Sequence, residues 1–217
     1  MAKHIYTYVN PSSERDLAQA CKVLENDGVI AYPTDVNWAF GCDASSRKAI
    51  ARIRQLKPHH PREQPFSLLC NSISMVASVG YIENSAYRLL KKCLPGPYTL
   101  LLQRTHDLPR QIKDKRKIVG VRVPDCPLLL DLVGAYGKPI ATTSMPCYEQ
   151  KDKKPATYGF EVEEQYGHGI DLILDLGEEM HPNETSIVDM SDDSGGKIIR
   201  VGSGDISLFE RFGFELS

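Results

Sequence analysis

The sequence predicts an α/β fold, a twisted mixed sheet flanked by helices in a single domain. Strand-like and helix-like segments interleave along the chain, the pattern of an α/β protein. Several strand candidates follow one another with no helix between them, which a fully parallel, doubly wound sheet does not allow. No shift in composition marks a boundary, and 217 residues can bury a sizeable core unaided. The reading is therefore one domain over residues 1–217. Its core runs from about 10 to about 210.

The first helix opens at Ser12-Ser13-Glu14 and carries Leu17, Ala20, Cys21 and Leu24 on one face, with Gly28 as its stop. Val29-Ile30-Ala31-Tyr32 is an apolar run ended by Pro33, the pattern of a buried strand. Asp43 is placed to cap a second helix running to Leu56. Ala49, Ile53 and Leu56 face inward there, Arg47, Lys48, Arg52 and Arg54 face solvent, and Pro58 and Pro61 end it. Phe66–Cys70 reads as a strand, Ser74–Val79 as a helical stretch, and Ser85–Cys93 as a helix closed by Leu94-Pro95-Gly96-Pro97. Tyr98–Gln103 and Lys117–Val123 are strands, Leu128–Tyr136 is helical, and Pro139–Thr143 begins another strand. Cys147–Thr157 reads as a polar, mobile loop and Ser191–Gly196 as a turn. Asp171–Asp175, Ser186–Asp189 and Lys197–Arg200 are the last strand candidates, and a short helix near Ile206–Arg211 ends the chain.

Composition excludes several classes of function. The net charge of −2 gives no global field for nucleic acid, although a local patch remains open. The six cysteines form no CxxC pair or Cys/His ladder, so no zinc or thioredoxin-like site is expected, and no metal site of the protein's own. The N-terminus has no apolar signal region and no stretch has the length of a membrane span, so the expected location is the cytoplasm. There is no GxGxxG after a strand, no GxxxxGK[ST], no GxSxG and no HExxH. Any phosphate chemistry must use another arrangement.

Four places can carry such chemistry. Pro33-Thr34-Asp35 ends the first long strand, where ligands of open α/β sheets bind; the alternative is a turn in which Thr34 bonds its own backbone. Lys57 follows a helix and precedes His59, His60 and Arg62, so it reads either as a phosphate contact or as part of a solvated basic loop. Arg122 lies inside the apolar strand GVRVP and needs an anion, which a protein carboxylate or a ligand could supply. Thr142-Thr143-Ser144 ends a strand with three hydroxyls, which can line an anion site or simply terminate the strand.

Taken in order, these segments resemble the YrdC/YciO family, related to the threonylcarbamoyl-adenylate synthases, with the YciO-like branch nearest. The matching stretches are GVIAYPTD (Gly28–Asp35), FGCD (Phe40–Asp43), RIRQLK (Arg52–Lys57), LPGPYTLLL (Leu94–Leu102), GVRVP (Gly120–Pro124), PIATTS (Pro139–Ser144), TSIVD (Thr185–Asp189) and IIRVG (Ile198–Gly202). The resemblance implies a twisted sheet with a large concave basic cavity. The activity it implies is a nucleotidyltransferase that joins threonine, bicarbonate and ATP, with Mg²⁺, into threonylcarbamoyl-AMP and pyrophosphate for modification of tRNA adenosine 37. Thr34, Thr142 and Thr185 would meet the amino acid, and Arg122 its carboxylate. Lys57, His60, Ser144 and Arg200 would meet the nucleotide, with Lys57 and Arg122 as the catalytic cations. Such a site brings two anions together, so fixed cations serve it better than a strong base.

Two departures fall on the nucleotide side. The family's Lys-x-Arg reads Lys57-Pro58-His59, or Lys57 with His60 if one residue is inserted, and its Ser-x-Asn reads Ser144-Met145-Pro146. Each lost contact is worth about 1–3 kcal/mol. Together they imply a synthase slowed by orders of magnitude. The alternative partner is tRNA or double-stranded RNA in the same cavity, drawn by the basic stretches Arg47–Arg62 and Arg104–Arg122.

Overall fold

Ser13 accepts a hydrogen bond from the Asp16 amide at 3.4 Å and opens α1 (Glu14–Glu25), which buries Leu17, Ala20 and Leu24. Gly28 sets its end, because a Cβ there would lie 2.6 Å from the Val23 carbonyl oxygen. Only glycine lets the chain pass so close and enter β2 (Val29–Pro33). The structure is a computed structural model and describes residues 2–7, 12–57, 66–105, 108–109, 112, 117–147, 154–192 and 195–217. The expected loop at 147–157 and turn at 191–196 therefore fall partly outside the described residues, and so do His59, His60 and Arg62.

β2 is buried throughout and pairs antiparallel with β3 (Trp38–Asp43), a strand the sequence reading did not assign. WAFGCD is covered on both faces, so it shows no alternation, and Gly41 within it resembles a breaker. The cap expected of Asp43 belongs to Ser46, whose hydroxyl accepts from the Ala49 amide at 3.0 Å and opens α2 (Arg47–Leu56). Asp43 instead ends β3 and takes bonds from Ser45, from Tyr136 Oη at 2.5 Å and from Lys138 Nζ at 2.6 Å. Burial opposes its charge, but the bonds from Lys138, Ser45 and Tyr136 win and hold its carboxyl below the usual carboxylate range.

Most other elements lie within one residue of where the pattern puts them. These are β4 (Ser67–Leu69), α3 (Ile73–Val79), α4 (Asn84–Cys93), β5 (Tyr98–Gln103), β6 (Ile118–Arg122), α5 (Pro127–Tyr136) and β7 (Ile140–Ser144). So are β8 (Leu172–Asp175), β9 (Ser186–Asp189), β10 (Lys197–Arg200) and α7 (Ser207–Glu210). Besides β3, three elements are additions: β1 (Lys3–Tyr6), α6 (Gly159–Tyr166) and β11 (Glu215–Leu216). α6 begins with glycine and lacks a Ser, Thr, Asp or Asn cap. Its start is held by Glu161, which accepts from the amides of Thr157 and Tyr158 at 2.7 and 3.0 Å.

The strands form one sheet in the order β1-β8-β2-β3-β7-β4-β6-β5-β9-β10-β11. β8 joins β1 and β2 in parallel, β4 joins β6 and β5 joins β9 likewise, and the pairs between these groups are antiparallel. This is the mixed sheet the sequence predicts. One face is covered by α2, α3, α4, α6 and α7 over Val29, Phe40, Leu68, Leu100, Val121 and Val188. The opposite face is covered at one end, where α1 and α5 pack on Ile30, Tyr32, Ala39, Leu69 and Ile140.

Away from that end the second face opens. Leu100 and Leu102 are buried but Leu101 is half-buried, and Val188 is buried while Ile187 is half-buried. Across this face Gly41, Thr142, Ser67, Gly120 and Leu101 stand in register on neighbouring strands. The short side chains of Gly41, Thr142, Ser67 and Gly120 keep this stretch of the sheet surface low, and the Tyr32 ring lies over Gly41. Among the described residues, no helix is long and apolar enough to cross a membrane.

Candidate functional site

Arg122 ends β6 on the open face, with a side chain only 4 % exposed. Its Nη2 donates to Asp35 Oδ1 at 2.8 Å, and the second Asp35 oxygen accepts from the Asp125 amide at 3.1 Å. Its Nε is buried with no acceptor among the described residues. Burial lowers the guanidinium pKa, the nearby Asp35 opposes this, and Arg200 adds to the lowering, so the two arginines sense each other. A buried cation with one satisfied donor and one orphaned donor is a candidate anion receptor.

The turn after β2 organises the surroundings. Thr34 Oγ1 donates to the Asn37 carbonyl at 2.7 Å and accepts from the Val36 and Asn37 amides at 3.2 and 3.1 Å. Its hydroxyl therefore closes its own turn, the local alternative read from the sequence. The Val36 carbonyl accepts from the Asn183 amide at 2.8 Å, and Asn37 Nδ2 donates to the Met145 carbonyl at 2.9 Å. The turn thus joins the segment before β9 to the end of β7.

Thr142 is equally committed, accepting from Tyr32 Oη at 2.8 Å and donating to the Phe40 carbonyl at 3.2 Å. Gly41 makes room for that tyrosine ring, since a Cβ there would lie 2.6 Å from it. On the far side, Arg200 Nη2 donates to Thr185 Oγ1 at 3.1 Å and Nη1 to Glu184 Oε1 at 2.8 Å, while Thr185 shares a 2.8 Å bond with Thr99. Thr34, Arg122, Thr185 and Arg200 are therefore linked through Asp35, Asn183 and the electrostatics of the two arginines.

Lys57 approaches from elsewhere. It follows α2, and its Nζ donates to Thr143 Oγ1 at 2.8 Å and to the Ser144 carbonyl at 2.6 Å. Thr143 alternates with Thr142 along β7, so it faces the α2 side of the sheet. Lys57 reaches the strand end from that side, opposite Arg122. Burial drives its pKa down to about 8, with Cys147 acting the other way. Ser144 is half-buried at the strand end. His60 lies outside the described residues.

Asp35, Tyr32, Asn37 and Thr99 had no assigned role in the sequence. Asp35 adjoins Thr34, but only the fold brings β6 to it. Among the described residues no group of three or more His, Cys, Asp or Glu could hold a metal ion.

Fold and site together define an α/β protein with a mixed sheet and a buried, incompletely hydrogen-bonded arginine at the end of one strand. Residues 22–202 match the Sua5/YciO/YrdC family model, described as "Telomere recombination". YciO of Escherichia coli K12 is 33% identical over 215 residues, covering 96% of this chain and 100% of that one. Its crystal structure superposes with a TM-score of 0.86 over 96% of this chain and 100% of that one, at 30% identity. The threonylcarbamoyl-AMP synthase of Klebsiella pneumoniae is 32% identical over 162 residues, 72% of this chain and 82% of that one. The structure of P. abyssi Sua5 complexed with L-threonine shares the fold, with a TM-score of 0.83 at 23% identity over 100% of this chain and 62% of that one. The chain belongs to the Sua5/YciO/YrdC family.

Proposed function

We propose that this protein makes threonylcarbamoyl-AMP, or a close analogue, from threonine, bicarbonate and ATP. The observation that carries the reading is the buried Arg122 with its unsatisfied Nε, which suits the carboxylate of an amino acid. Relatives about 30% identical carry the name threonylcarbamoyl-AMP synthase, and the Sua5 neighbour was crystallised with L-threonine.

In this reading Arg122 takes the threonine carboxylate, and Thr185 and Arg200 border it. Bicarbonate dehydrates to carbon dioxide, and the threonine amine adds to it and gives up its proton to form a carbamate. A carbamate oxygen attacks the α-phosphorus, the bond to the β-phosphate breaks, and pyrophosphate leaves. Lys57 and Ser144, at the end of β7, serve the nucleotide side. Lys57 is anchored by two acceptors at the end of β7, so its charge is held there, and the nucleotide must meet the carbamate around that strand end because Arg122 lies on the other side of the sheet. Thr34 and Thr142 act as scaffold in the ligand-free state, because their hydroxyls are already engaged. Mg²⁺ carried on the ATP phosphates as part of the substrate would neutralise the charge that develops there.

Asn37 lies beside the end of β7 but does not stand in for the asparagine of the family motif. Its amide is spent on the Met145 carbonyl and the Trp38 amide. The synthesis is therefore expected to be slow. The reading places the product in the cytoplasm, upstream of transfer to tRNA. An RNA ligand at the same site is less well supported. The exposed cations of α2 (Arg47, Lys48 and Arg54) belong to the helix layer on the other side of the sheet from Arg122.

Incubation with threonine, bicarbonate and Mg·ATP is expected to release pyrophosphate in a threonine-dependent manner. Release no greater than that of an Arg122→Ala control would refute the assignment.

A further inference from the structure

The structure assigns Asp35 a role of its own: we propose that it is the specificity-determining residue of the amino-acid subsite. As a fixed counter-ion on Arg122, it makes that subsite prefer a zwitterion over a simple carboxylate. This rests on reading Arg122 as the carboxylate receptor.

The bland alternative is a structural ion pair that merely neutralises a buried arginine, and the geometry argues against it. An arginine fork whose sole task is neutralisation is best satisfied by both oxygens of one carboxylate. Asp35 instead gives Arg122 one oxygen, at 2.8 Å to Nη2, and spends the other on the Asp125 amide at 3.1 Å. Nε is left buried without an acceptor. The pair is half made, and the missing half is a place for an incoming oxygen.

Asp35 also cannot withdraw. Its turn is closed by the Thr34 hydroxyl and tied to Asn183 through the Val36 carbonyl. The Asp35 side chain is 7 % exposed, so water screens it poorly. A carboxylate arriving at Nε therefore meets an arginine already paired with a fixed negative charge. A ligand bearing only a carboxylate suffers that repulsion uncompensated. A ligand with an ammonium beside its carboxylate brings a positive charge into the same field and gains from Asp35. Arg200, the other cation sensed by Arg122, is occupied with Glu184 and Thr185 and does not cancel this preference.

Calorimetric titration of the wild type and Asp35→Asn with L-threonine and with 3-hydroxybutyrate, its counterpart without the amine, tests this. The wild type is expected to prefer threonine. Asp35→Asn should shift the ratio of the two affinities by about tenfold or more toward 3-hydroxybutyrate, with the amine-free acid bound at least as well as before. Asp35→Glu should keep the preference for threonine. If Asp35→Asn lowers both affinities by the same factor, or leaves their ratio unchanged, the residue is only structural and the proposal fails. A wild type that binds neither compound overturns the carboxylate reading of Arg122, and this inference with it.

Discussion

Replacing Arg122 with alanine is expected to weaken threonine binding by about a hundredfold, the loss of a charge-assisted contact to the carboxylate. It should also destabilise the fold by about 3 kcal/mol, because Asp35 is left as a buried charge without its partner. The two effects separate by substitution. Arg122→Lys keeps the charge near Asp35 but lacks the planar fork that presents Nε and Nη2 together. It should recover much of the stability and little of the affinity. Urea unfolding and calorimetry on the two variants measure the effects independently. Loss of stability with undiminished threonine binding would show that Arg122 serves the core alone.

Lys57 is expected to give the second large effect, and to give it as a function of pH. Burial holds its pKa at about 8, below the ordinary lysine value. The charged form therefore falls from about nine-tenths at pH 7 to about one-tenth at pH 9. If the ammonium serves the nucleotide, the KM for ATP should rise by about tenfold over this interval, while threonine affinity stays level. Lys57→Met should start near the high-pH value and not change.

Stability carries the same signature with a definite sign. Between pH 8 and the ordinary lysine pKa the unfolded chain holds more protons at this position than the folded one, so stability rises with pH. This contribution is complete above the unfolded pKa and lost as pH falls through 8. Cys42, Cys70 and Cys93, which burial pushes up to about 12, act in the opposite direction. They are common to both proteins, and the difference between wild type and Lys57→Met isolates the lysine. A pH-independent difference would contradict the buried, depressed ammonium.

The fold class was legible because its signals are local. Apolar runs, glycine and proline stops and serine caps place most elements within one residue. The misses share a physical cause. β3 is buried on both faces and so lacks alternation, α6 starts on glycine with its cap built by Glu161 of its own first turn rather than by a Ser, Thr, Asp or Asn, and Asp43 was assigned to a helix when tertiary donors claim it.

At the site, the sequence marked Arg122 as needing an anion but could not say which. Asp35 holds one donor of the arginine, and Nε is left without an acceptor among the described residues. Thr34 illustrates the limit of motif reading. Its place beside the site was visible from the chain, but its hydroxyl is consumed by the turn, a fact that only the backbone geometry reveals. The residue next to it, Asp35, makes the long-range contact.

A crystal structure of the protein with L-threonine decides whether this sheet face receives an amino acid through Arg122. The ligand carboxylate is expected within hydrogen-bonding distance of Arg122 Nε, with Asp35 still bonded to Nη2. Threonine bound elsewhere, or an Arg122 Nε that remains without an acceptor in the complex, would contradict it.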